Sequence, residues 1–420
     1  MSENSVDFDV AIVGGGAAGF FAAINIAVEK PDASIVILER GNEVLSKVRI
    51  SGGGRCNVTH AEFVPGELVK NYPRGEKELK GPFHTFCTGD TISFFEERGV
   101  ALKIEEDGRM FPVTDTSETI INCFLQEANK YGIKIYKGFP VKNFTYSNHQ
   151  WQIKGLHTNV NAQKIVICTG SNPKIWGLLQ KKGHTIVKPV PSLFTFNCND
   201  PRIKGLAGIS TFATVTIKFN QAKPSGTMPF LEAEGPLLIT HWGMSGPAIL
   251  KLSAWGARAL AACKYQFSIT INWLPDLTFE NCLALLEKER LNNSRKTVHK
   301  NKPFDLPKRL WVSLANACKI HSEKRWAELS NKDLQKMATQ LTNGEFAIHG
   351  KSTFKEEFVT AGGIELKEVD FKTYQSKKLP NLYFAGEVLN IDAITGGFNF
   401  QNAWTGAYIA AKAIAKALNN

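Results

Sequence analysis

Phe8-Asp-Val-Ala-Ile-Val13 runs straight into Gly14-Gly-Gly-Ala-Ala-Gly19, and these twelve residues decide the fold class. The first six are apolar and β-branched, the pattern of a buried strand. The next six form a G-x-G-x-x-G loop. Phe20–Val28 follows with helical composition and stops before Pro31, and Ser34-Ile-Val-Ile-Leu38 is a second strand that ends at Glu39. Strand, glycine turn, helix, strand and acidic residue are the ordered parts of a dinucleotide-binding βαβ unit.

Each residue type has a mechanical reason. Gly14 permits the tight turn, Gly16 lets backbone approach a pyrophosphate, and Gly19 lets the helix pack closely on the strand. The helix N-terminus at Ala17 and Ala18 offers unpaired N–H groups to phosphates. Glu39 lies 20 positions past Gly19 and is placed to accept ribose hydroxyls.

Working outward, a second glycine loop, Ser51-Gly-Gly-Gly-Arg-Cys-Asn57, follows soon after Glu39. Bare backbone flanked by Ser51, Arg55 and Asn57 suits a chain wrapping a polyanion, and Gly53 sits at its centre. Read alone, the loop is also compatible with a flexible turn. Ile133–Tyr136, Val141–Tyr146, Trp151–Lys154 and Val160 are expected to form a meander, with Ser147–Gln150 as a hairpin turn. Lys164–Cys168 is a buried strand ending at Thr169-Gly170. This layout favours FAD over NAD as the dinucleotide.

Near the other end, Leu382-Tyr-Phe-Ala385 is a strand ending in Gly386-Glu387. Asp392 follows, then Thr395-Gly396-Gly397-Phe398-Asn399-Phe400-Gln401 opening a long helix. A glycine pair at a helix start presents N–H donors, here expected to face the flavin edge where charge gathers on reduction. The expected architecture is α/β: a Rossmann-like FAD-binding domain interrupted by a β-barrel-like module and a helical insertion. Its parts are residues 1–189 and 346–420 for the FAD domain, 190–274 for the β-rich module and 275–345 for the insertion. Ser245 is the expected cap of a helix beginning near Pro247. Ser330-Asn-Lys-Asp333 resembles a capping box ahead of Leu334, Met337 and Leu341.

Composition agrees with a globular chain. Its 420 residues are 43% hydrophobic and 21% charged, which excludes disordered, collagenous and coiled-coil classes. No apolar run approaches the roughly 18 residues of a membrane helix, and the polar N-terminus lacks a cationic n-region. A cytoplasmic protein is expected, with no membrane partner. The eight cysteines are scattered without a Cys-x-x-Cys pair, so free thiols are expected and structural zinc is not. The net charge is +11, and Glu287–Arg325 alone holds eleven Lys/Arg against four Asp/Glu. Such a cluster suits an anionic partner or a solvated helical face.

With these motifs read, the chain resembles the bacterial NAD(P)/FAD-dependent oxidoreductases of the BaiN-like or aminoacetone-oxidase-like group. The markers are Ile50–Asn57, Thr240-His-Trp-Gly-Met-Ser-Gly-Pro247, and Ala385–Asp392 followed by Thr395–Gln401. The resemblance implies one FAD in a two-part Rossmann-like domain. It places Ala17 and Ala18 at the pyrophosphate, Glu39 and Arg40 at the adenosine, and Val141 at the adenine through its backbone. Lys47, Gly53 and Asn57 would run along the flavin side, while Glu387, Asp392, Asn399 and Phe400 would close over the ribityl chain and ring. The sequence departs from the group at Lys47-Val-Arg49, where aliphatic residues are usual, and at Asn402, where tryptophan is common.

The expected activity is flavin-dependent oxidoreduction. NAD(P)H would reduce the flavin directly, since no Cys-x-x-Cys relay exists, and a small organic acceptor, such as an enone, would reoxidise it. Nucleic acid is not the expected partner. The other readings are an FAD-containing RNA-modifying or RNA-binding protein using the basic insert, and a flavin redox sensor. No catalytic residue is assigned; His241 is the one candidate proton donor, set against a structural role, and Cys56 is expected to be a packed thiol. Neither oligomeric state nor the choice of NADH over NADPH is legible.

Overall fold

The computed structural model describes residues 5–156, 158–219, 230–352 and 359–419. The chain divides into two compact units, one of residues 1–190 with 355–420 and one of residues 191–354.

The first unit is built on a parallel sheet. Strand β1 (Ser5–Val13) leads through the glycine turn to helix α1 (Ala17–Glu29) and strand β2 (Ile35–Leu38). With β3 (Lys134–Tyr136), β4 (Asn159–Ile167) and β5 (Leu382–Phe384), the spatial order is β3-β2-β1-β4-β5, all parallel. This is the doubly wound order, in which ligands bind in the crevice beyond the carboxyl ends of the strands. Val10–Ile12 and Val36–Ile37 are wholly buried, as expected of strands covered on both faces. Helix α1 is apolar nearly all round because it lies between the sheet and the long helix α2 (Phe398–Leu418).

The expected meander needs correction. Asn143–Ser147 and Gln150–Lys154 form the hairpin, and the second of them also pairs antiparallel with the first half of β4, around Val160. Lys134–Tyr136, the core of the first expected strand, is β3 instead and runs parallel to β2. The reason is the helix Ser117–Lys130 just before it, which carries the chain back across the sheet and makes β3 the end of a crossover.

A buried polar clasp closes the far edge of this unit. His184 Nδ1 lies 2.9 Å from Glu368 Oε2, and its Nε2 lies 2.9 Å from Ser376 Oγ. Serine, histidine and carboxylate in this order have the spacing of a nucleophilic triad. Here Ser376 is buried, and its oxygen already accepts from the N–H groups of Lys378 (3.1 Å) and Leu379 (2.9 Å). The arrangement is a brace. Burial pushes Glu368 up, but hydrogen bonds from Lys378, Thr185 and His184 outweigh it and bring the carboxyl to about 2. A lowered carboxylate pKa contributes stability above its unfolded value and loses it as pH falls through the folded one. Glu368→Gln is therefore expected to be less stable at pH 7 by up to about 3 kcal/mol, the gap closing between about pH 4.5 and 2. Urea unfolding of both proteins at pH 7 and pH 2.5 checks this.

The second unit is a seven-stranded antiparallel sheet. It runs Gly344–His349, Gln266–Asn272, Ser210–Lys218, Phe230–Ile239, Gly243–Ser245, Thr195–Asn197, Lys351–Ser352. The helices Phe279–Asn292, Lys308–Ala317 and Asn331–Thr342 share one apolar core with it, in which Trp273, Trp311, Trp326, Ile271 and Phe346 are buried. The helical segment is thus part of this unit. Strand Gly344–His349 pairs along its length with Gln266–Ile271, so the sheet continues past residue 346. The capping box at Ser330 forms, with Ser330 Oγ accepting from Asp333 N–H and Asp333 Oδ2 from Ser330 N–H. Ser245 is not a cap: it ends a strand, and Gly246 precedes Pro247 at the helix start.

Candidate dinucleotide and flavin site

The site lies within the first unit, at the carboxyl ends of the parallel strands. Gly14 has φ +113°, and a Cβ there would stand 2.5 Å from the Cys168 carbonyl oxygen, so the turn packs directly on the end of β4. A Cβ on Gly19 would fall 2.0 Å from the Gly14 carbonyl oxygen, which fixes the closeness of α1 to the turn. Gly16, the residue before α1, is different: a Cβ there would meet nothing within 4 Å. Its backbone faces open space at a helix start of thirteen residues, where N–H donors and the helix dipole favour an anion.

Glu39 closes the other wall. Its Oε2 accepts from Gly15 N–H at 2.8 Å and its Oε1 from Gly41 N–H at 2.7 Å. Each oxygen keeps acceptor capacity for a hydroxyl. Arg40 beside it is exposed. Phe139 N–H donates to the Glu39 carbonyl at 2.8 Å, which draws the segment containing half-buried Val141 to this end of the sheet.

The second glycine loop ends a short helix. Ser46–Ile50 is helical, and then Gly52, Gly53 and Gly54 take φ of +58°, +68° and +85°. Three consecutive left-handed residues need glycine. Nothing lies within 4 Å of a Cβ on Gly53 or Gly54, whereas Ser51 Oγ donates to the Val48 carbonyl at 2.7 Å. Asn57 then ties this loop to the far end of the chain. With its side-chain amide assigned the orientation that satisfies its neighbours, it donates to the carbonyls of Thr59 (2.9 Å) and Met110 (3.2 Å) and accepts from Gly397 N–H at 3.0 Å.

Two more contacts join the distant stretches. Gly386, with φ +76°, brings a virtual Cβ to 3.2 Å from Ala18 Cβ. Lys47 Nζ pairs with Glu387 Oε2 at 2.8 Å, and the carboxylate raises the Lys47 pKa despite the lysine's burial cost. Gly170 (φ +58°) lies beneath this pair, a Cβ there standing 3.6 Å from Glu387 Oε2. The neighbouring Thr169 hydroxyl is buried with no hydrogen-bond partner among the described residues. A buried orphan hydroxyl carries a penalty of roughly 1–3 kcal/mol, and it marks this spot as one a polar ligand can satisfy.

In the C-terminal stretch, Asn399 clasps Ala393, accepting from its N–H at 3.0 Å and donating to its carbonyl at 3.3 Å. Gly396 and Gly397 have φ of +135° and +95°, and a Cβ on Gly397 would strike the Thr59 carbonyl at 2.4 Å. Phe398 is buried and stacks near His60, with centroids 4.5 Å apart. Half-buried Phe400 lies parallel to Trp404, at 5.4 Å and 6°. The indole N–H of Trp404 donates to the Val58 carbonyl at 2.9 Å.

Several residues expected at the cofactor are directed elsewhere. Arg55 pairs with Glu105 at 2.6 Å and Asp115 at 3.4 Å, with its guanidinium over the Phe111 ring; its charge is spent on the neighbouring hairpin. Asp392 is fully buried and bonded by Arg74, a partner that sequence reading missed because nothing local marks it. The Cys56 side chain is fully buried, and burial pushes its thiol up to about 12, so only its backbone is available to a cofactor. Cys56 is accordingly expected to resist iodoacetamide at pH 8 in the folded protein and to react after unfolding; mass spectrometry of the peptide reads this. His241 lies in the second unit, exposed in a turn closed by Thr240 N–H to the Gly243 carbonyl at 2.8 Å. No carboxylate hydrogen-bonds to its ring among the described residues. There, too, no group of three or more His, Cys, Asp or Glu is placed to hold a metal ion. No described helix is long and apolar enough to cross a membrane.

A Rossmann sheet with glycine loops gathered at its carboxyl end, among them one opening α1 and one opening α2, defines an FAD-dependent oxidoreductase. The chain belongs to the HI0933-like family, whose Rossmann-domain description matches residues 8–413. It is 28% identical to a ribosomal RNA dihydrouridine synthase of Haemophilus influenzae, over 96% of this chain and 98% of that one. It is 26% identical to a 3-dehydro-bile acid delta(4,6)-reductase of Clostridium scindens, over 97% and 99%. Among solved structures, a 3-ketosteroid-delta4-(5alpha)-dehydrogenase of Rhodococcus jostii aligns with a TM-score of 0.50 at 12% identity, covering 99% of this chain and 98% of that one. That likeness concerns the fold.

Proposed function

We propose that this protein catalyses NAD(P)H-dependent reduction of a carbon–carbon double bond polarised by a carbonyl group, on a small organic substrate. FAD, when bound, supplies the two-electron hydride chemistry. The observation that carries the reading is the joining of the glycine loops by the Asn57–Gly397 hydrogen bond and the Gly386–Ala18 approach.

The chain's residues divide the work of holding the cofactor. Gly14, Gly16, Ala17, Ala18 and Gly19 receive the pyrophosphate, while Glu39, Arg40 and Val141 hold the adenosine end. Lys47, Ser51, Gly53, Asn57, Thr169, Gly170, Gly386 and Glu387 line the path to the flavin. Gly396, Gly397, Phe398, Asn399 and Phe400 set the α2 N-terminus against its edge. A helix start aimed at developing negative charge stabilises it without reorganisation.

The relatives' names support the substrate class. Dihydrouridine is uridine with its C5=C6 bond saturated, a bond beside the C4 carbonyl, and a delta(4,6)-reductase acts on ring double bonds of a 3-dehydro steroid. The two reactions share one bond change. The test is anaerobic stopped-flow mixing of the yellow protein with NADH and with NADPH, followed by enones and quinones. Rapid bleaching by one nicotinamide and reoxidation by enones is the expected result; no bleaching by either would overturn the reading.

A second reading, with an RNA uracil as the acceptor, is favoured by one feature. Lys288, Arg295, Lys300, Lys308, Lys319 and Arg325 are exposed in the second unit and make no ion pair among the described residues. Phosphate contacts by such cations weaken steeply with salt. Filter binding of a ribosomal RNA fragment decides it: affinity falling sharply with added salt supports it, and no binding in dilute buffer removes it.

A further inference from the structure

Arg74 and Asp392 form a forked ion pair at the foot of the turn that opens α2. Arg74 Nε donates to Asp392 Oδ1 at 2.5 Å, and Nη2 bonds Oδ2. The Asp392 side chain has no exposure and that of Arg74 has 13%. The same two residues also make an antiparallel backbone bridge. Around them, Ile394 N–H donates to the Asn71 carbonyl at 3.0 Å, and Tyr72 OH donates to the Phe398 carbonyl at 2.5 Å. Gly75 lies so close to Ile391 that a Cβ there would stand 2.8 Å from its Cγ1. Residues 71–75 thus hold the 391–398 turn at four points.

Stability alone does not account for this pair. Desolvating two charges costs about as much as their attraction returns, and buried pairs replaced by apolar residues often leave a protein equally stable. A forked guanidinium does fix direction, because two parallel bonds determine the plane of the carboxylate. The carboxylate belongs to the turn that aims the Gly396–Gly397 backbone and the first N–H groups of α2.

We propose that Arg74 is a positioning residue for the reduced flavin. By clamping Asp392 it fixes the N-terminus of α2 against the ring edge that gathers negative charge, and so raises the affinity for reduced over oxidised FAD. This rests on the reading that FAD lies at that helix start.

The experiment measures midpoint potentials of holoenzyme for the parent, Arg74→Lys, Asp392→Asn and Arg98→Lys. Arg98, in the turn after the helix Thr88–Glu96, pairs with Glu127 at 3.0 Å, with exposures of 14% and 12%, and is a control of similar burial away from the 391–398 turn. Arg74→Lys and Asp392→Asn are expected to retain FAD while preference for its reduced form falls about tenfold, a drop of about 30 mV for a two-electron couple. Arg98→Lys is expected to lose comparable thermal stability without that drop. If Arg74→Lys fails to fold, Asp392→Asn alone gives the answer. Unchanged potentials in FAD-loaded variants would overturn the positioning role and leave the cofactor reading intact. A parent protein that cannot take up FAD would overturn both.

Discussion

Gly16→Ala is expected to leave the free protein as stable as its parent and to weaken FAD binding by about a hundredfold. The two effects separate because a Cβ at Gly16 meets no protein atom within 4 Å, and its φ of −96° with ψ of −167° is open to alanine. The methyl group fills only the space through which a pyrophosphate would reach the α1 N–H groups. Gly19→Ala is the contrasting case. Its Cβ would stand 2.0 Å from the Gly14 carbonyl, so the helix must move from the strand and folding suffers along with binding. Thermal melts of the apoproteins, with FAD titrated by flavin fluorescence, separate the two. A Gly16→Ala protein that binds FAD normally would show that the dinucleotide does not approach this turn.

Trp404→Ala is expected to destabilise the first unit by about 3–5 kcal/mol. Trp404 is fully buried, lies 5.1 Å from Phe21 and 5.7 Å from Phe124 between ring centroids, and stacks on Phe400. Truncation also strands the Val58 carbonyl, which accepts the indole N–H, and an unpaired buried acceptor costs more than the bond contributed. Because Val58 follows Asn57, the second glycine loop loosens with the core. Chemical denaturation should show the midpoint falling, and FAD retention should fall with it. Trp404→Phe, which keeps a six-membered ring but loses the pyrrole portion and its N–H, is expected to recover part of the stability.

Much of this organisation is legible in the chain because the dinucleotide motif is local. Strand, turn, helix and strand are consecutive between Phe8 and Glu39, and each glycine answers a local backbone need. The C-terminal return is also local, from Leu382 to Gln401. What escapes is pairing between distant residues. Lys134–Tyr136 has the same alternation whether its neighbour is antiparallel or parallel, and only the preceding crossover helix decides. Arg55 looks like a phosphate ligand beside three glycines until Glu105 and Asp115 arrive on the neighbouring hairpin. Asp392 and Arg74 stand far apart in sequence, and no spacing rule links them. Asn402 is a departure with a visible cost: it is buried, and neither its amide nitrogen nor its oxygen is hydrogen-bonded among the described residues.

Strand β5 pairs with β4, yet the whole second unit is encoded between them. On the ribosome, which adds roughly 5–20 residues per second, Leu382–Phe384 emerges long after Asn159–Ile167. Part of the β4 edge therefore waits unpaired while residues 191–354 are translated, offering hydrogen-bonding groups to any passing strand. On the proposed reading, cofactor loading follows translation of α2, and yield in the cell is expected to track chaperone supply during that interval more closely than the stability of the finished protein.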